Sequence, residues 1–261
     1  MKKLISLFLS VSVLLLAACS KQPDTASSEQ KNDAAGLQTV VIASTGSDAD
    51  IWRHIASLPE TKAAGIKLEV KNFTDYVAMN TAVANKEVDL NAFQSYAYLV
   101  AFNAANKDKI APVSTTYLEP MGIYSNKVKK VEEFAQGATI AIPNDGANES
   151  RALLLLQSAG LIKLKPDFDP VKGTPADIIE NSKKIVIKPI QMATAVRVKD
   201  EVDAILLGNT LAMEGGLNVL KDAIFYEPID QSTKLNINIL ATAESRKDDP
   251  VLQKVGALYH T

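Results

Sequence analysis

The stretch Gly137-Ala138-Thr139-Ile140-Ala141-Ile142-Pro143-Asn144-Asp145-Gly146-Ala147-Asn148-Glu149-Ser150-Arg151-Ala152-Leu153-Leu154-Leu155-Leu156 decides the fold. Its first seven residues are small, branched and apolar, as in a buried strand, and Pro143 ends the strand because proline donates no ladder hydrogen bond. A polar turn follows. Residues 149–159 then favour helix, with the Leu153-to-Leu156 block to bury and Gly160 to close the last turn.

Working outward, the same alternation appears on both sides. Residues 39–43 read as a buried strand, followed by the turn Ser44-Thr45-Gly46-Ser47-Asp48 and a helix that carries Ile51, Trp52 and Ile55 and stops before Pro59. Residues 67–73 alternate as a strand, and Thr74 or Asp75 can cap the helix behind them. Residues 88–93 read as a strand, 96–105 as a helix, and 111–125 as strand broken by Pro112 and Pro120. Beyond the quoted stretch, residues 202–207, 224–229 and 235–241 read as strands and 250–259 as a last helix. Strands separated by helices predict an α/β fold with parallel sheets. Two successive sets predict two α/β lobes, residues 38–124 plus 232–261 and residues 125–231, with 235–241 returning the chain to the first. A ligand of such sheets sits beyond the carboxyl ends of the strands, here in the cleft between lobes.

The amino terminus has a different character. Lys2 and Lys3 precede a short apolar run, and Leu16-Ala17-Ala18-Cys19 follows. The run is too short to span a bilayer, which takes about 20 apolar residues, and it has the layout of a secretory signal. Cys19 is the only cysteine of the chain. The box resembles the bacterial lipobox, so residues 1–18 are expected to be a signal peptide and Cys19 the lipidated new terminus, in contact with a bilayer. Residues 19–37 hold almost nothing to bury and should form a flexible tether. The expected location is the cell envelope, lipid-anchored and facing the periplasm or exterior. Ser20, not Asp, follows the cysteine, a pattern that looks like an outer-membrane address where an outer membrane exists.

Composition excludes several classes. The chain has 28 basic and 30 acidic residues and shows no basic stripe, so nucleic acid is not an expected partner. Enzyme motifs are missing as well: no H-E-x-x-H, no G-x-S-x-G, no phosphate-binding loop and no dinucleotide fingerprint. Neither a cofactor nor a metal is expected. His54 lies one helical turn from Asp50, but a helix-surface histidine accounts for it, and His260 adjoins the chain end.

Polar residues placed just after strands are more informative. Asn144, Asn148 and Arg151 lie where a strand leads into a helix, whose first N–H groups attract an anion. Arg151 adds a fork that fits a carboxylate. Spacing alone leaves open that Asn144 or Asn148 only caps the helix and that Arg151 pairs with Glu149 or a surface acid. Asn209 follows another strand. Asn236 and Asn238 lie two apart in an apolar run, on one face of a strand. Tyr76, Phe93, Tyr96 and Tyr98 stand near strand ends, where aromatics can wall an apolar pocket.

The segments Phe73-Thr74-Asp75-Tyr76, Leu118-Glu119-Pro120-Met121-Gly122-Ile123-Tyr124-Ser125, Gly137 through Asp145, Asn148 through Leu156 and Gly160-Leu161-Ile162-Lys163-Leu164 resemble the NlpA family of lipoproteins. The best-known members are the methionine-binding lipoproteins of ABC uptake systems. The resemblance implies a type II periplasmic-binding-protein fold, two α/β lobes that close on a free amino acid, methionine or an analogue, for delivery to an ABC permease in the membrane. It implies that Arg151 takes the ligand carboxylate beside Asn148 or Asn144, and that Asn209 and Asn236 help bind the amino and carboxylate groups. Tyr76, Phe93 and Tyr98 match aromatics that line the side-chain pocket, and polarizable sulfur packs well on such rings. Two positions depart from the family pattern. Ser95 stands where methionine binders usually place a histidine, and the first loop, residues 44–50, lacks the usual Pro and His. These departures motivate an alternative reading: a surface lipoprotein that acts through protein or host-cell contacts, with a degenerate cleft.

Overall fold

The computed structural model describes residues 36–261. The expected signal peptide, Cys19 and the tether up to residue 35 lie outside the described residues. In chain order the first half forms β1 (Gln38–Ser44), α1 (Gly46–Ser57), α2 (Pro59–Ala63), β2 (Ile66–Asn72), α3 (Tyr76–Ala84), β3 (Leu90–Ser95), α4 (Tyr96–Ala105), β4 (Ile110–Leu118) and β5 (Met121–Tyr124). The second half adds β6 (Thr139–Pro143), α5 (Gly146–Ser158), β7 (Lys163–Leu164), β8 (Ile178–Glu180), β9 (Val186–Ile190) and β10 (Ala204–Gly208). It closes with α6 (Asn209–Glu214), α7 (Val219–Asp222), β11 (Ala223–Tyr226), β12 (Ile237–Ala243) and α8 (Pro250–Leu258).

Two five-stranded sheets result, ordered β2-β1-β3-β12-β4 and β11-β5-β10-β6-β9. The α/β class is as read from the pattern, but the sheets are mixed where parallel ones were expected. β1 pairs with β2 and β3 in parallel, as do β6 with β9 and with β10. Within these two sheets the antiparallel pairs all involve β4, β5, β11 or β12, and β7 and β8 form a separate antiparallel pair. Strands β4, β5, β11 and β12 flank the two passages of the chain from one sheet to the other. A strand that arrives from the other sheet needs no helical crossover and can enter in either direction.

The first passage occurs at Glu119-Pro120. Pro120 interrupts the 111–125 run so that β4 stays with the first sheet while β5 pairs with β10 and β11 in the second. The switch therefore lies before Met121, not after Tyr124 as the sequence pattern suggested. The second passage uses residues 227–236, and β12 returns to the first sheet as expected. Residues Gln231–Asn236 form a 3-10 turn, so Asn236 precedes the strand and does not share a strand face with Asn238.

The quoted stretch behaves as its composition dictates. Alternate residues of β6 face opposite ways: Ile140 and Ile142 join one core, with Leu153, Leu155 and Leu156 of α5, while Ala141 joins another with Tyr124, Ile205 and Leu207. In the first lobe, β1 divides in the same way between Val40 and Ile42 on the Trp52 side and Ala43 on the Met79 side. Leu153 is fully buried, whereas Leu220 of α7 is largely exposed. Leu153→Ala is expected to lower unfolding free energy by about 2–5 kcal/mol through lost transfer energy and a cavity. Leu220→Ala should stay within about 0.5 kcal/mol of the parent. Urea unfolding of both variants checks the pair.

Candidate functional site

A cavity of about 400 Å³ lies where the carboxyl ends of strands from both sheets meet. Its size falls within the range of about 300–1,000 Å³ typical of small-molecule sites. Each part of the wall follows from a local feature of the chain. β3 ends at Ser95, whose hydroxyl caps α4 by accepting from the Tyr98 N–H at 3.2 Å. That cap turns the chain so that Phe93 and Tyr98 stand beside Tyr76, the first residue of α3. Their ring centroids are 5.2 Å (Tyr76–Phe93), 5.7 Å (Phe93–Tyr98) and 6.4 Å (Tyr76–Tyr98) apart, within the range of favourable aromatic pairs.

Behind this wall lies a buried amide cluster. Asn80 Nδ2 donates to Gln94 Oε1 at 3.0 Å, Gln94 Nε2 donates to Asn80 Oδ1 and Asn91 Oδ1 at 2.7 and 2.8 Å, and Asn91 Nδ2 donates to Asn80 Oδ1 at 2.8 Å. A fully connected polar cluster in low dielectric holds its members to one geometry. Here it fixes α3 against β3 and so the spacing of Tyr76 and Phe93.

On the second sheet, Pro143 ends β6 and the next residues enter α5. Asp145, not Asn144 or Asn148, caps the helix: its Oδ1 accepts from the Asn148 N–H at 3.1 Å and from Asn148 Nδ2 at 3.0 Å. Burial pushes the Asp145 carboxyl above its ordinary range, against these hydrogen bonds and the charge of Arg151. The side chain of Asn144 makes no hydrogen bond among the described residues, and both Asn144 and Asn148 line the cavity.

Arg151, one turn into α5, is buried and largely engaged. Its Nε and Nη2 donate to Glu227 Oε1 and Oε2 at 2.8 and 2.6 Å, and Nη2 also reaches the Glu119 carbonyl at 2.7 Å. Nη1 alone makes no hydrogen bond among the described residues, and Arg151 lines the cavity. Glu227 was not singled out by sequence reading, because an acid in the connection after β11 has no local feature that distinguishes it from a solvated one. It accepts as well from the Met121 N–H at 2.8 Å and from Asn236 Nδ2 at 3.3 Å.

Asn209 and Asn236 do not line the cavity. Asn209 opens α6, and its amide spans Met213 Sδ and the Val219 N–H at 3.3 Å each. Asn236 supports Glu227 from the 3-10 turn before β12. Gly208 and Thr210, which flank Asn209, do line the cavity, and Asn238 takes the inward position on β12. The side chain of Asn238 is 7% exposed and has no hydrogen bond among the described residues.

Three further acids complete the wall: Asp48, Glu119 and Glu214. Asp48 Oδ1 accepts from Tyr117 Oη at 2.6 Å, and Tyr117 Oη lies 3.1 Å from Thr210 Oγ1. Glu119 Oε2 accepts from the N–H and hydroxyl of Thr210 at 2.6 and 2.7 Å. Glu214 Oε1 accepts from the Ser47 N–H at 3.3 Å, reaching the first turn of α1 from α6. Gly46 permits this approach: its φ of +49° lies in the left-handed region, and a Cβ there would overlap the Glu214 carboxylate. Contacts from Tyr117, Glu119 and Glu214 thus join the two lobes around the cavity.

Burial, opposed by the Tyr117 hydrogen bond and helped by Glu119 and Glu214, pushes Asp48 from 3.8 up to about 6. A native pKa above the unfolded one means the folded chain binds the extra proton. The cost is absent below the ordinary value, grows as pH rises from about 4 to about 6, and is full above that window. Its size is on the order of 3 kcal/mol. Asp48→Asn keeps an acceptor for Tyr117, so it should stabilise the protein at pH 8 and lose that advantage at pH 3.5. Denaturation midpoints of variant and parent across this pH range measure the difference.

The NlpA lipoprotein family profile matches residues 40–261. "Outer membrane lipoprotein 2" of Mannheimia haemolytica is 37% identical over 254 residues, 97% of this chain and 89% of its own length. Among solved structures, a nutrient binding protein from Burkholderia cenocepacia bound to methionine is 34% identical with a TM-score of 0.78, covering 85% of this chain and 92% of that one. The substrate binding protein of a methionine transporter from Streptococcus pneumoniae is 39% identical with a TM-score of 0.77, covering 85% and 88%. The fold is that of these two-lobed binding proteins, and the chain belongs to the NlpA lipoprotein family.

Proposed function

We propose that the chain is an extracytoplasmic binding protein that captures methionine or a related amino acid and delivers it to an ABC permease, held at the membrane through lipidated Cys19. The observation that carries this reading is one cavity shared by both sheets, with an aromatic wall of Tyr76, Phe93 and Tyr98 and buried polar groups facing it. In this reading the ligand carboxylate meets Arg151 Nη1 and the amides of Asn144 and Asn148. The side chain lies on the aromatic rings. The Asn238 amide, rather than Asn209 or Asn236, serves the ammonium end. Ser95 keeps its hydroxyl on the helix cap and contributes room where a larger side chain would intrude. Methionine binding in the Burkholderia and Streptococcus relatives supports the choice of ligand class. Closure of the two lobes on the ligand, not catalysis, is the functional event.

Thermal unfolding of the purified protein with a panel of amino acids tests this directly. A true ligand at about 100 times its Kd should raise the melting temperature by roughly 5–10 °C. No shift with any amino acid would move the assignment to a lipoprotein that acts through protein contacts.

Two substitutions separate binding from folding. Asn238→Ala removes a side chain with no hydrogen bond to lose, so it should weaken ligand binding about tenfold with under about 1 kcal/mol change in stability. Arg151→Ala leaves Glu227 buried and unpaired and should cost about 3–5 kcal/mol before any ligand is added. Calorimetric titration combined with urea unfolding of each variant distinguishes the two effects.

A further inference from the structure

The cavity wall carries more carboxylates than cations. Asp48, Asp75, Glu119, Asp145 and Glu214 all line it, and the one cation on the wall among the described residues, Arg151, is already met by Glu227. Among the described residues none of the five forms an ion pair with a lysine or arginine. Two of the five have local duties, since Asp75 caps α3 and Asp145 caps α5. Asp48, Glu119 and Glu214 remain. Their partners are a tyrosine hydroxyl, Thr210 and one backbone N–H, none of which carries a full positive charge.

The negative field reaches the aromatic wall. Burial raises the Tyr76 hydroxyl pKa, and Glu214, Asp145, Asp48 and Glu119 raise it further. An amino acid with a neutral side chain brings one ammonium and one carboxylate, and so leaves this excess unanswered.

A second feature points to an occupant. Asn238 is more than nine-tenths buried, lines the cavity and has no hydrogen bond. It also borders, with Asp48, a small recess of the same region. Its amide atoms open onto the cavity, where a ligand can supply the partners they lack. The occupant is organic rather than a metal ion, because the described residues hold no group of three or more side chains placed to ligate one. Aromatic faces attract organic cations through the ring quadrupole, and Tyr76, Phe93 and Tyr98 supply such faces beside the carboxylates.

We infer that the ligand is a cationic amino acid, one that carries a sulfonium or ammonium on its side chain in addition to the α-ammonium, and that Asp48, Glu119 and Glu214 set this preference. The inference rests on the amino-acid-binding reading above and narrows it.

Calorimetric titration of the purified protein with L-methionine and S-methyl-L-methionine tests it, since the two share a chain and differ by one methyl group and one positive charge. The sulfonium should bind at least about tenfold tighter at low salt, and the ratio should shrink as salt rises. Asp48→Asn and Glu214→Gln should each reduce that ratio by about threefold. Glu214 is exposed, so its variant keeps the test valid if the buried substitution impairs folding. Methionine binding as tightly as the sulfonium, or a preference that neither variant moves, overturns the inference and leaves the amino-acid reading standing. Absence of binding by either probe and by the common amino acids overturns both.

Discussion

The bidentate pair of Arg151 with Glu227 ties together segments that are remote in the chain. Arg151 belongs to α5, Glu227 to the second passage between sheets, the Met121 N–H that also reaches Glu227 to the start of β5, and the Asn236 amide to the turn before β12. Two charges taken out of water are tolerated only when their lone pairs and protons are met, and here both carboxylate oxygens accept twice. The consequence reaches beyond stability. Both passages are anchored at the foot of α5, so the hinge region and the helix that faces the ligand share one polar joint. The arginine keeps a single nitrogen for the cavity. The electrostatic character of the site then falls to its unpaired acids.

Those acids also join the lobes. Tyr117 and Glu119 engage Thr210, and Glu214 meets the first turn of α1, so the contacts that bring the two sheets together are made by cavity-wall residues. A charge placed in the cavity would change their energies along with its own. In the proposed reading ligand charge and lobe closure are coupled, since the same carboxylates would serve both. The buried Asn80–Asn91–Gln94 cluster plays the opposite part, holding the aromatic wall fixed within the first lobe.

Much of this was legible from residue order. Periodicity and the strand-stopping Pro143 gave α/β alternation, because a strand buried on both faces must be apolar whatever its neighbours are. Strands placed before polar turns located Asn144, Asn148 and Arg151 at the cavity, and Tyr76, Phe93 and Tyr98 joined them, whereas Tyr96 is exposed and does not line it. Other parts were not legible. Asn209 and Asn236 differ from Asn238 only in which way the backbone turns them. A 3-10 turn ending at Asn236 shifts the strand start by two residues, which leaves Asn238 rather than Asn236 on the cavity wall.

Sequence by itself determined the class of fold, the returning strand, the absence of the common hydrolase and nucleotide signatures, and membership of a lipoprotein family, since these depend on local pattern. Tertiary structure decided that the sheets are mixed, that the chain switches sheets at Pro120, and that Arg151 is shared with Glu227. It also decided that Asp48, Glu119 and Glu214 face one cavity. The physical reason is that a charge's partner and its exposure are set by residues tens to hundreds of positions away. Asp48 and Glu214 are 166 positions apart, and only the folded chain brings them to one wall.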